Sequence, residues 1–137
     1  MKLRIVLLIA SLLFISCSSD SDKKLELLDG YWNIDTVTLP DGSEKEFPFS
    51  NHMDHFEVEG LNGVKHRVSP TYDGGFVNYG SPVYFKWQEN EDELILIFKE
   101  GDNSYQQSVE EVTTTDLELK HENGTIYSYK RYTSNEE

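Results

Sequence analysis

A single cysteine, Cys17, stands in 137 residues, so the chain can close no intramolecular disulfide and build no cysteine-rich metal site. Cations are scarce as well: 12 Lys and Arg face 25 Asp and Glu, a formal charge of −13. Affinity for nucleic-acid phosphates rests on Lys and Arg neutralising them, and this balance excludes a nucleic-acid partner. No apolar run reaches the roughly 20 residues that a membrane-spanning helix needs. Beyond Ile15 no stretch keeps apolar residues at i, i+3, i+4 and i+7 for three turns, which excludes a helical bundle. Serines are plentiful, but there is no Gly-x-Ser-x-Gly, and no Ser or Thr is spaced from a His and an Asp in a way that marks a nucleophile. The chain reads as a non-enzyme with no cofactor.

What is present begins with Lys2 and Arg4, an apolar run of 11 residues from Ile5 to Ile15, and then Ser16-Cys17. A positive start, a short apolar stretch and a small residue before a cut are the marks of a secretory signal. Phe14-Ile15-Ser16-Cys17 resembles a bacterial lipobox, with Phe14 in place of the favoured Leu. The resemblance implies cleavage before Cys17 and a diacylglycerol thioether on its sulfur, which makes the cysteine an anchor and not a nucleophile, metal ligand or disulfide half. The expected organisation is a signal over 1–16, a lipidated tether over 17–26, one domain over 27–133 and a disordered tail over 134–137. Removing Met1 to Ser16 takes away Lys2 and Arg4 and no acid, so the formal charge moves from −13 to −15. The expected address is the cell envelope, with the outer membrane foremost and the membrane itself a partner through Cys17.

The rest of the chain is divided by Asp41-Gly42, Asn62-Gly63, Asp73-Gly74 and Asn123-Gly124, pairs that supply positive φ at tight hairpin turns. Between them lie segments rich in Val, Ile, Thr, Tyr, Phe and Trp. Strands are expected at 31–39, 53–59, 64–69, 82–88, 93–99, 104–112, 115–121 and 125–132, with a short piece at 76–79. Side chains alternate across a strand, placing Val83, Phe85 and Trp87 on one face, Phe56 and Val58 on another, and Leu117 and Leu119 on a third. The same alternation puts His66 inside with Val64 and Val68. Strand 31–39 changes phase between Ile34 and Val37, and a bulge near Asp35 and Thr36 would reconcile it. The fold class is all-β: an antiparallel up-and-down meander closing into a small barrel of about eight strands, because closure removes exposed edges. Leu94 to Phe98 is apolar on both faces, so its outer side is expected to meet another element or a protein partner.

Gly30-Tyr31-Trp32 opens the first strand and Lys130-Arg131 closes the last. This resembles the lipocalins, in which a Gly-x-Trp on the first strand closes one barrel end beneath a cation from the final strand. With the lipobox, the run from about 27 to 133 resembles small lipocalin-like lipoproteins of Bacteroidota. The resemblance gives Gly30, Trp32 and Arg131 the motif roles, with Lys130 the alternate cation.

The four histidines could supply a metal site, which needs three or four converging ligands. Parity separates them, with His55 outward and His66 and His121 inward, so no metal is expected. Glu89 to Glu93 lacks the spaced oxygens and central glycine of a Ca²⁺ loop and reads as a solvated turn. The aromatics say more. An interior ligand would be lined by Phe56, His66, Phe85 and Trp87, with Tyr72, Phe76 and Tyr79 of the Gly/Pro-rich loop as a clamp over the mouth. Two functions follow: a tethered module binding a small apolar or amphipathic molecule or a glycan fragment, or a filled barrel presenting a surface, strand 94–98 foremost, to an envelope complex.

Overall fold

The computed structural model describes residues 20–47 and 53–133. The signal run, Cys17, His52 and the tail at 134–137 lie outside the described residues. Within them the order is α1 (Asp20–Leu28), β1 (Gly30–Thr38), β2 (Glu44–Glu46), β3 (Met53–Glu59), β4 (Asn62–Pro70), β5 (Phe76–Asn90), β6 (Glu93–Glu100), β7 (Asn103–Val112), β8 (Asp116–His121) and β9 (Ile126–Arg131). From β3 onward each strand pairs antiparallel with the next, β1 pairs with β3, and β9 returns to β1, so β1 and β3 to β9 close an eight-stranded barrel. The ninth strand, β2, runs beside the far half of β1, Thr36–Thr38 against Glu44–Glu46. It is three residues long and carries Glu-Lys-Glu, all exposed, which suits a sheet edge that must not recruit another chain.

The first departure from expectation is α1, which starts inside the supposed tether. Its nine residues make only about two and a half turns, short of the three-turn pattern by which helices are recognised. Asp20 and Asp22 occupy the first turn, where carboxylates complement the helix dipole. Ser21, Leu25 and Leu28, at spacings of four and three, share one buried face. That face covers one end of the barrel and meets Trp32, Phe56, Leu94 and Val112 in a single core cluster.

Alternation holds on most strands. Leu94, Leu96 and Phe98 of β6 are fully buried while Ile95 and Ile97 point outward, half-buried. Phe85 and Trp87 face Phe98 and Leu96 across the β5–β6 ladder. The change of phase in β1 is a bulge between Ile34 and Thr36, where the register against β9 shifts.

Strand β4 is the opposite of what its apolar residues suggest. Its turn is Gly60-Leu61, with Gly60 at φ 59°, and not Asn62-Gly63, which is already strand. The register then sets Lys65 opposite Phe56, His66 opposite His55 and Arg67 opposite Asp54. Because Phe56 points inward, so do Gly63, Lys65 and Arg67, and Val64, His66 and Val68 point outward. Gly63 fits this face because the Phe85 ring occupies the space a side chain would take: a Cβ there would lie 2.2 Å from the ring's Cζ. The strand expected as two pieces, 76–79 and 82–88, is the single β5. Lys65 pairs with Val83 and Arg67 with Tyr79, so Gly80-Ser81-Pro82 form a bulge opposite His66. A proline has no N–H for the ladder and is tolerated in such a bulge.

Candidate ligand site at the barrel mouth

One end of the barrel is sealed. Trp32, fully buried, donates from Nε1 to the Leu28 carbonyl at 2.8 Å. The Arg131 guanidinium lies over the indole, 4.1 Å from its centroid. Its donors reach the carbonyls of Thr114 at 2.7 Å, Asp29 at 3.3 Å and Thr113 at 3.5 Å, and also that of Leu27. Cationic donors at a helix C-terminus satisfy carbonyls that have no partner within the helix. Burial lowers the Arg131 pKa, with the Asp29 charge acting against it. Gly30 lies beneath: it has φ 142°, and a Cβ would meet Arg131 Nη1 at 2.5 Å. Lys130, the alternate cation, instead faces out and pairs with Asp116.

The residues expected around a ligand scatter. Phe56 and Phe85 meet edge to face at 6.2 Å, and Phe85 touches Phe98 at 5.2 Å, so both are packed core and not cavity wall. Trp87 packs on the same cluster and donates to the Gly60 carbonyl at 2.7 Å. Tyr72 is fully exposed on the β4–β5 turn. Phe76 lies outside the barrel, stacked on Tyr31 at 4.1 Å, and Tyr31 stacks in turn on His55 at 3.9 Å. His66 belongs to that outer row, 6.3 Å from His55, and does not face the interior. Only Tyr79, on β5, reaches the open end.

Two adjoining cavities occupy that end. The first, about 420 Å³, is lined by Asp54, Lys65, Arg67, Tyr79, Gly80, Ser81, Val83, Glu100 and Tyr105. The second, about 330 Å³, is lined by Ile34, Val37, Phe47, Asp54, Arg67, Tyr127 and Tyr129. Asp54 and Arg67 are common to both and form the partition. Asp54 is nearly buried, and its Oδ2 accepts a hydrogen bond from the Tyr129 hydroxyl at 3.0 Å. Burial raises the Tyr129 pKa well above its usual value, and the Asp54 charge adds to the shift. Arg67 Nε stands 3.9 Å from Asp54 Oδ1, too long for a hydrogen bond, with 65% of the Arg67 side chain exposed. Lys65 Nζ sits 5.0 Å above the Phe98 ring, and Tyr105 stacks on the same ring at 5.1 Å. Long cationic side chains can lay their methylenes on apolar surface and keep their heads in water, which is how β4 presents two charges to the interior.

Asp54 was within reach of sequence reasoning, since it shares parity with Phe56 and Val58. Lys65 and Arg67 were not, because ranking the two faces of β4 by hydrophobicity selects Val64 and Val68. The signal that finds them is register: a two-residue turn at Gly60-Leu61 forces His55 against His66. The resulting mouth offers fixed tyrosines, cationic donors and apolar walls. Among the described residues no three His, Cys, Asp or Glu gather as a metal would require.

The sequence matches the model of the lipocalin-like domain over residues 28–120. A lipocalin-like protein from Bacteroides uniformis is similar in structure, with a TM-score of 0.50 and 14% identity, covering 77% of this chain and 99% of that one. An uncharacterized protein from Bacteroides eggerthii aligns with a TM-score of 0.49, 14% identity and the same coverage. No curated protein matches the sequence.

Proposed function

The chain belongs to the lipocalin-like domain family, and from that membership and the form of the mouth we propose that it is a binding protein for a small amphipathic molecule, held to the cell envelope through a lipid on Cys17. The observation that carries the binding role is the contrast between the two barrel ends. Among the described residues the helix end is filled by Leu28, Trp32 and Arg131, and the cavity of about 530 Å³ near it lies on the outer face, against Glu57, Val64 and Tyr84. The other end opens into cavities of about 420 and 330 Å³, within the size range of small-molecule sites. The site lies higher in the barrel than the aromatic core and is built from Asp54, Lys65, Arg67, Tyr79, Tyr105, Tyr127 and Tyr129.

The outward Ile95 and Ile97 of β6 support a second reading, a filled barrel that serves as an interaction surface. The two diverge on heating. A ligand that binds only the folded state stabilises it, by about 2.7 kcal/mol at 100 times Kd, and so raises its melting temperature as concentration increases. Fatty acids, sterols, isoprenoids and short glycans should be screened this way against the wild type and Ser81→Trp, which fills the mouth from an exposed position of the β5 bulge. At least one class should raise the melting temperature of the wild type and not of the variant. A screen without shifts, or shifts that persist in the variant, would replace ligand binding with the interaction role.

A further inference from the structure

We infer that the mouth selects a carboxylate: one amphipathic anion, its head between Lys65 and Arg67 and its apolar part in the cavity of Ile34, Val37, Phe47 and Tyr127. This rests on the mouth being a ligand site and adds the chemistry of its occupant. The first cavity is polar at its cations and the second largely apolar, and the exposed Arg67 side chain stands between them. Arg67 is two-thirds exposed and its side chain forms no hydrogen bond among the described residues, so turning it gives up only the 3.9 Å ion pair with Asp54. A molecule spanning both cavities would therefore have a charged end and an apolar end.

The donor balance sets the sign of that charge. Lys65 and Arg67 carry eight N–H donors between them, and within the described residues none is used in a hydrogen bond; Lys65 Nζ lies over the Phe98 ring. The acids present are Asp54 and Glu100. Asp54 is already served by the Tyr129 hydroxyl and by the Arg67 charge, and Glu100 is exposed at the rim. A cationic ligand would have to lie against two cations to reach them. A carboxylate meets a planar fork in Arg67, which it can accept in bidentate fashion, and a second point charge in Lys65.

Titration calorimetry with dodecanoate, dodecanol and dodecyltrimethylammonium tests this. Charge-assisted hydrogen bonds of about 1.5–3 kcal/mol correspond to roughly tenfold or more in affinity, so dodecanoate should bind at least that much more tightly than the other two. The double variant Lys65→Met, Arg67→Gln should lose this margin for dodecanoate and leave dodecanol unchanged, and Lys65→Arg with Arg67→Lys should keep most of it. Equal binding of the acid and the alcohol, with both blocked by Ser81→Trp, would overturn carboxylate selection and leave the mouth as the ligand site. Preference for the ammonium would reverse the sign of the head group. No binding of any of the three to a folded protein would overturn the inference outright.

Discussion

Arg131 gathers four carbonyls from two separate turns while its plane rests on Trp32, so each residue holds the other in place. Truncating a buried Trp costs about 3–5 kcal/mol, and in urea Trp32→Ala should lose stability of that order. Arg131→Lys should also lose part of it, because an ammonium cannot lie flat on the indole and reach both turns. Gly30→Ala should destabilise too, by displacing the guanidinium; a neutral result in urea would contradict the 2.5 Å approach. His55 gives a prediction in pH. Burial against Tyr31 lowers its pKa, with the neighbouring His66 charge acting the same way and Glu57 and Asp29 opposing. The folded state therefore resists a proton that the unfolded chain accepts near pH 6.5. Its contribution to stability is complete above that pH and is lost as pH falls through the lower, folded value. Comparing wild type with His55→Phe between pH 7.5 and 5 should show a steeper decline in the wild type. The residues Gly30 and Trp32 were legible because a glycine before an indole at a strand start is an unusual pairing of shapes. Lys65 and Arg67 were hidden because a charged side chain declares no face.

At the scale of elements, alternation placed β5 and β8 correctly because each has one apolar face and one polar face. It failed on β4, whose outer Val68 is buried beside Met53 and whose inner face carries the cations. Faces ranked by hydrophobicity alone invert when both are covered. Helix α1 escaped notice for a different reason: it is too short to show a period and its apolar residues are only Leu25, Leu27 and Leu28. It is nonetheless part of the core. Leu28 is fully buried and its carbonyl receives the Trp32 N–H. Leu28→Ala should cost about 2–5 kcal/mol, as for any buried Leu, and should lower the urea midpoint as much as Leu96→Ala. A loss of a few tenths would return α1 to the role of a tether.

For the whole molecule, no helix among the described residues is long and apolar enough to cross a bilayer, and the proposal assigns membrane attachment to a lipid on Cys17. Cys17→Ser should move the protein from the membrane fraction to the soluble fraction and leave its melting temperature unchanged; continued sedimentation with membranes would contradict lipid anchoring. The start of α1 then acquires a mechanical meaning. Two residues, Ser18 and Ser19, lie between Cys17 and Asp20, so the span is at most about 10 Å of extended chain. With the lipid in a bilayer, the body cannot drift far from it, and any tension on the anchor is delivered directly to the helix. The far end of that helix is clasped by Arg131, which bonds to Leu27 and Asp29 on one side and to Thr113 and Thr114 on the other. Load entering through one strandless segment is thus shared with the last strand and the β7–β8 turn, and the seam where β9 meets β1 becomes the part of the protein that bears the pull.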